Sequence, residues 1–146
     1  MTTAWTLTID CAHPPELARF WALALGYVER EPPGDFATWE DWLRAYEIPE
    51  DEWDDGAALS DPDGVLPSLT FLKVPEGKVA KNRMHFDLQV GGGRDEVPRE
   101  QRWPRVLAAG EKLTAAGATV LSTEEVLGKP DHLVMADPEG NEFCLV

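Results

Sequence analysis

Basic residues are scarce: 13 Lys and Arg stand against 27 Asp and Glu, for a net charge of −14. A surface this negative repels phosphate backbones and anionic headgroups, so neither nucleic acid nor membrane is expected as a partner. Long apolar runs are missing too, with nothing near the roughly 18 residues that a membrane-spanning helix requires. The opening MTTAWTLTID has no basic region followed by an apolar block, and no signal peptide is expected. Only two cysteines occur, Cys11 and Cys144, inside apparent strands near opposite ends. Nothing requires them to pair, and cytoplasmic residence with reduced thiols is the expectation. Several motifs are absent as well. GGGR at 91–94 leads into a charged, proline-containing loop and not into a helix, which excludes a phosphate-cradling glycine loop. There is no Gly-x-Ser-x-Gly elbow and no paired-cysteine metal spacing.

What is present fits one globular domain over residues 1–146, long enough to bury a core. The acidic charge is uneven. Residues 29–63 hold 13 acidic and two basic side chains, Arg30 and Arg44, a net of −11. Such a segment is either a solvated loop that aids solubility or an acidic wall beside a site for a cationic ligand.

The turn DPDG at 61–64 returns as DPEG at 137–140, with proline setting φ and glycine allowing a positive φ. Each precedes a short apolar strand, PSLTFLKV at 67–74 and NEFCLV at 141–146. TID at 8–10 and HFD at 85–87 repeat at nearly the same offset, and each is followed by a helical pattern. The first helix spans 14–27, with proline at its start and Gly26 near its end. The second spans 102–118, with Gly117 as its cap. Matching element order at matching offsets predicts an internal duplication, with modules at 1–76 and 81–146. An insertion at 32–56 interrupts the first. Its Trp39, Trp42, Leu43 and Tyr46 have helical spacing, which reads as a short amphipathic helix docking the loop or lining a site.

KNRMHFDLQV at 81–90 alternates as a strand does, with His85, Asp87 and Gln89 on one face. His13 and His132 read as surface residues. Trp5, Phe20 and Trp21 read as packing between helix and sheet. Cys144 reads as a small core residue.

The blocks DCAHPPELARFWALALGY, DPDGVLPSLTFLKVPEGKVAKNRMHFDL and DPEGNEFCLV resemble the vicinal oxygen chelate superfamily of glyoxalases, bleomycin-resistance proteins and dioxygenases. The likeness is strongest to the glyoxalase-like domain common in actinobacteria. It implies an α+β fold of two βαβββ modules whose mixed sheets form a cup around a ligand cavity, with the helices outside. Metal-dependent members place one ligand on the first and last strand of each module. His85 and Glu142 match two of these positions. The others fall at Thr6 or Thr8 and near Ser68 or Thr70, none of them a normal ligand for a transition metal.

Strand alternation adds that Thr6, Thr8 and Asp10 share a face opposite Leu7 and Ile9, while His85 with Asp87 and Glu142 with Cys144 point inward from their strands. The candidate ligand-binding residues are therefore Thr6, Thr8, Asp10, Thr70, Asp87 and Cys144, with His85 and Glu142 as the catalytic or metal-binding pair. Zn, Ni, Fe or Mn would suit imidazole and carboxylate, but two ligands of four favour a protein without cofactor. Two functions follow. One is a binding protein for a small organic molecule with a degenerate or absent metal site. The other is a metal-dependent lyase, isomerase or dioxygenase using His85 and Glu142. A small-molecule ligand is the expected partner, with a homodimer as an option.

Overall fold

The computed structural model describes residues 1–146. Its elements run β1 (Leu7–Cys11), α1 (Pro14–Leu25), β2 (Val28–Glu29), α2 (Trp39–Ala45), a 3-10 turn (Glu50–Asp55), β3 (Gly56–Ser60) and β4 (Leu69–Lys73). There follow β5 (Asp87–Leu88), α3 (Arg99–Ala115), β6 (Thr119–Val126), β7 (Lys129–Ala136) and β8 (Glu142–Leu145). The chain divides into two compact units, Met1–Gly77 and Lys78–Val146. Setting the insertion aside, each unit is βαβββ with one four-stranded mixed sheet. The strand orders, β1-β4-β3-β2 and β5-β8-β7-β6, are the same permutation. In both, the first strand runs parallel to the last, and the last is antiparallel to the third.

In the first unit, Pro14 opens α1, where a missing N–H costs nothing. Gly26 closes it in the left-handed conformation, φ 73°, its N–H returning to the Ala22 carbonyl. Leu17, Phe20 and Trp21 are buried on this helix, and α1 packs on β3 and β4, where Leu59, Leu69 and Phe71 are buried. Phe20 meets Trp21 edge-to-face at 5.5 Å. Each such large apolar side chain contributes about 1.5–3 kcal/mol on burial. Trp5 takes no part: it precedes β1 and is exposed, since no strand pairing holds the chain there.

The insertion forms its helix as the spacing predicts, with the Thr38 hydroxyl accepting from the Asp41 N–H at 3.1 Å. No residue of α2 is buried. Its aromatics hold one another instead, Trp42 lying 4.7 Å from Tyr46 and 5.6 Å from Trp39. The Trp39 indole N–H donates to the Arg30 carbonyl, and that of Trp53 to Ile48.

In the second unit, α3 begins three residues earlier than its Ala/Leu pattern suggests, with Pro98 at the N-cap position, and Gly117 follows its end with φ 108°. Val106, Leu133, Met135, Phe143 and Leu145 form the core between α3 and the sheet. Gly110 lets the helix come this close. A Cβ there would stand 2.7 Å from Leu133 Cδ1.

The two repeated turns are built alike. Asp61 accepts from the N–H groups of Asp63, Val65 and Leu66, and Asp137 accepts from those of Glu139 and Asn141. Gly64 and Gly140 take positive φ, 67° and 87°. These hydrogen bonds to the charged form hold the Asp61 carboxyl below the ordinary carboxylate range.

One predicted strand is much shorter than its alternation implies. Of 81–90, only Asp87 and Leu88 form β5. Its sole neighbour is β8, which begins at Glu142; pairing runs Asp87 to Cys144 and Leu88 to Leu145, with the Phe86 carbonyl accepting the Cys144 N–H as the last bond. Residues 81–85 have no strand to pair with.

Candidate functional site

Within the second sheet, parity sorts the side chains. Phe143 and Leu145 lie in the core, so Glu142 and Cys144 project from the opposite face of β8. The register sets Asp87 directly beside Cys144. His85 joins them, its Nε2 3.4 Å from Asp87 Oδ1, and the donor atoms of His85, Asp87 and Cys144 all lie within 4.8 Å of one another. His85 and Asp87 are about half exposed, whereas Cys144 is 8% exposed. Burial pushes the Cys144 thiol up, and the Asp87 carboxylate, both as a charge and as hydrogen-bond acceptor, pushes it further. Glu142 is engaged differently. Its carboxylate pairs with the Lys81 ammonium, contributed by the segment ahead of β5. The four residues thus share one sheet face, but Glu142 stands outside the three-donor cluster.

Thr8, Asp10 and Thr70 belong to the first sheet, with Thr8 and Thr70 side by side in the β1–β4 register. Thr8 and Asp10 are exposed and Thr70 is half-buried, on the face opposite Leu69 and Phe71. Thr6 precedes β1 and is also exposed.

A second polar cluster was not legible in the sequence. Asp131 is 3% exposed and accepts from Arg94 Nη2 at 2.5 Å and Arg102 Nη2 at 3.3 Å, with His132 Nδ1 at 3.0 Å. Burial works against ionising this carboxyl, but His132 and the two guanidinium groups outweigh it and hold Asp131 below the usual range. Arg102 Nε donates to the Val97 carbonyl, while its Nη1 has no partner. His132 is therefore a half-buried member of an ion cluster and not a simple surface residue. An Asp beside a His at a strand entry was the available signal. The partners lie 29 and 37 positions away, beyond local pattern. An open cavity of about 590 Å³ lies alongside, lined by Asp87, Gln89, Gly92, Arg94 and Val146.

The family of glyoxalase-like domains matches residues 6–146. The chain belongs to this family. Solved structures agree on the fold at low identity. A glyoxalase/bleomycin resistance/dioxygenase family enzyme from Burkholderia phytofirmans is 15% identical at a TM-score of 0.59, covering 98% of this chain and 97% of that one. A possible glyoxalase from Bacillus cereus is 16% identical at 0.59, covering 100% and 99%. A mutant of the fosfomycin resistance protein FosX from Listeria monocytogenes, complexed with Mn(II) and 1S,2S-dihydroxypropylphosphonic acid, is 12% identical at 0.61, covering 99% and 91%. No curated protein matches the chain.

The donor set does not fit the four-ligand arrangement that the family resemblance implies. Hydroxyls stand at the first- and fourth-strand positions, Thr6 or Thr8 and Ser68 or Thr70, and the Glu142 carboxylate pairs with Lys81.

Proposed function

We propose that the protein binds a small organic molecule and does not perform metal-dependent chemistry at the family's ligand positions. The observation that carries this reading is the paired Thr8 and Thr70, hydroxyls in register where two metal ligands would otherwise be expected. In this reading the hydrogen-bonding groups on offer are Thr6, Thr8, Asp10 and Thr70 in the first unit and His85, Asp87, Glu142 and Cys144 in the second. If residues 29–63 border the ligand's approach, their net −11 favours a cationic or polyamine-like ligand, because opposite charge there raises encounter rate and local concentration. Two buried free thiols agree with residence in the cytoplasm. A homodimer is one option for the assembly, which light scattering on the purified chain would measure.

A second reading is the metal-dependent lyase, isomerase or dioxygenase. It is supported by the strand positions of His85 and Glu142, and it requires Lys81 to release the Glu142 carboxylate. To test the first reading, thermal stabilisation is measured across a panel of small organic molecules. The panel includes hexylamine and heptanoate, which share a hexyl chain and carry opposite charges, each at low and high salt. The cation should stabilise more strongly, and the difference should fade as the screening length drops to about 10 Å near 0.1 M salt. Equal, salt-insensitive effects would leave the acidic segment a solubility feature. No stabilisation by any member of the panel would sink the binding reading itself.

A further inference from the structure

We propose that the second sheet holds a divalent-metal site of its own composition, formed by His85, Asp87 and Cys144, that takes a borderline-soft ion such as Zn(II) or Co(II). Of the positions the family resemblance implies, only His85 is shared. The proposal goes beyond small-molecule binding; it draws on three residues that reading also uses, but its test does not require the organic ligand.

The geometry is nearly that of a tetrahedral face. Zinc ligands stand about 2.0–2.3 Å from the ion, so neighbouring donors in a tetrahedron are about 3.3–3.8 Å apart. His85 Nε2 and Asp87 Oδ1 are already 3.4 Å apart. All three donors lie within 4.8 Å, so the sulfur needs to close by about 1 Å, within the reach of a side-chain adjustment. The backbone fixes two of the three. Asp87 and Cys144 are register partners on parallel strands, and their Cβ atoms leave the sheet on the same side.

The chemistry points the same way. One sulfur, one nitrogen and one oxygen suit Zn(II) or Co(II) over Mg(II) or Ca(II), which seek all-oxygen shells. Three protein ligands leave a fourth position open. A dication seated between the Asp87 carboxylate and the Cys144 sulfur would be held by both, since the register sets them side by side. Glu142, although on the same face, is answered by Lys81 and is not needed. Half exposure of His85 and Asp87 makes the site exchangeable, so it would fill on supplementation and empty under chelation.

The test uses the full chain, stripped with EDTA and titrated with Co(II). A near-ultraviolet thiolate-to-cobalt charge-transfer band is expected, saturating at one equivalent. It should vanish in Cys144→Ser and Cys144→Ala and persist in Cys11→Ser and Glu142→Gln. His85→Ala and Asp87→Ala should weaken affinity by about tenfold or more. Because Cys144 is buried, a second measurement needs no substitution: Zn(II) should protect Cys144, but not Cys11, from iodoacetamide in the wild-type chain. Absence of the band, its survival in both Cys144 variants, its loss in Glu142→Gln, or an unprotected Cys144 would each overturn the proposal. None of these readouts involves the organic ligand.

Discussion

Replacing Asp131 with alanine removes the one carboxylate that answers Arg102, whose side chain is 7% exposed, together with half-exposed Arg94. Arg102 Nη1 already lacks a partner, so the substitution leaves a buried cation with only the Val97 carbonyl. Breaking a buried pair from one side costs about 3–5 kcal/mol, because the remaining charge keeps its desolvation penalty. Against a total stability of about 5–15 kcal/mol this is a large loss. For a chain of this size it lowers Tm by about 6–20 °C, at roughly 2–4 °C per kcal/mol. Urea unfolding followed by circular dichroism gives the free energy directly. Replacing both residues, as Asp131→Leu with Arg102→Met, should recover most of the loss, since a well-packed apolar pair removes the stranded charge. The pH dependence has a definite sign. The folded pKa of Asp131 is lowered, so its contribution is present above the unfolded value of about 3.9 and is lost as pH falls through the folded value. The gap between wild type and Asp131→Ala should therefore be full at neutral pH and narrow in acid. A loss below about 1 kcal/mol at neutral pH, or a double variant no better than the single, would refute the account.

Two further outcomes can be measured. Gly110→Ala gains helix propensity of about 1 kcal/mol but drives a Cβ to 2.7 Å from Leu133 Cδ1, and overpacking of about 1–3 kcal/mol should make it a net loss; a more stable variant would show that Leu133 yields freely. The rate of Cys144 alkylation should rise with a midpoint above the ordinary thiol value of about 8.5, and Asp87→Asn should bring that midpoint down; an unchanged profile would remove Asp87 as a cause.

The module order was legible because turns carry their own chemistry: Asp-Pro-x-Gly dictates the Asp61 and Asp137 hydrogen bonds and the positive φ of Gly64 and Gly140 wherever it occurs. Pro14 and Gly26 marked α1 for the same reason. Alternation was less reliable at β5, because a pattern of two records which face a residue would take and not whether a neighbouring strand is there to bond it. Parity still set Asp87 and Cys144 on one face. That Lys81 would answer Glu142, and that Arg94, Arg102 and His132 would gather on Asp131, depends on contacts between distant segments that no local period encodes.

The shared strand order has a kinetic consequence. In each unit the opening strand bonds only to the closing one: Leu7 finds its register partner in Leu69, and Asp87 finds its own in Cys144. The hairpin of the third and fourth strands can form early from local contacts, but the first strand must wait as an unpaired ribbon until the last has taken its position. Closing that long loop is the entropically costly step, and it occurs twice in one chain. A protein built this way carries two exposed edges through its folding. The brevity of β5, two residues against the five of β1, leaves the second of them little surface on which another chain could pair.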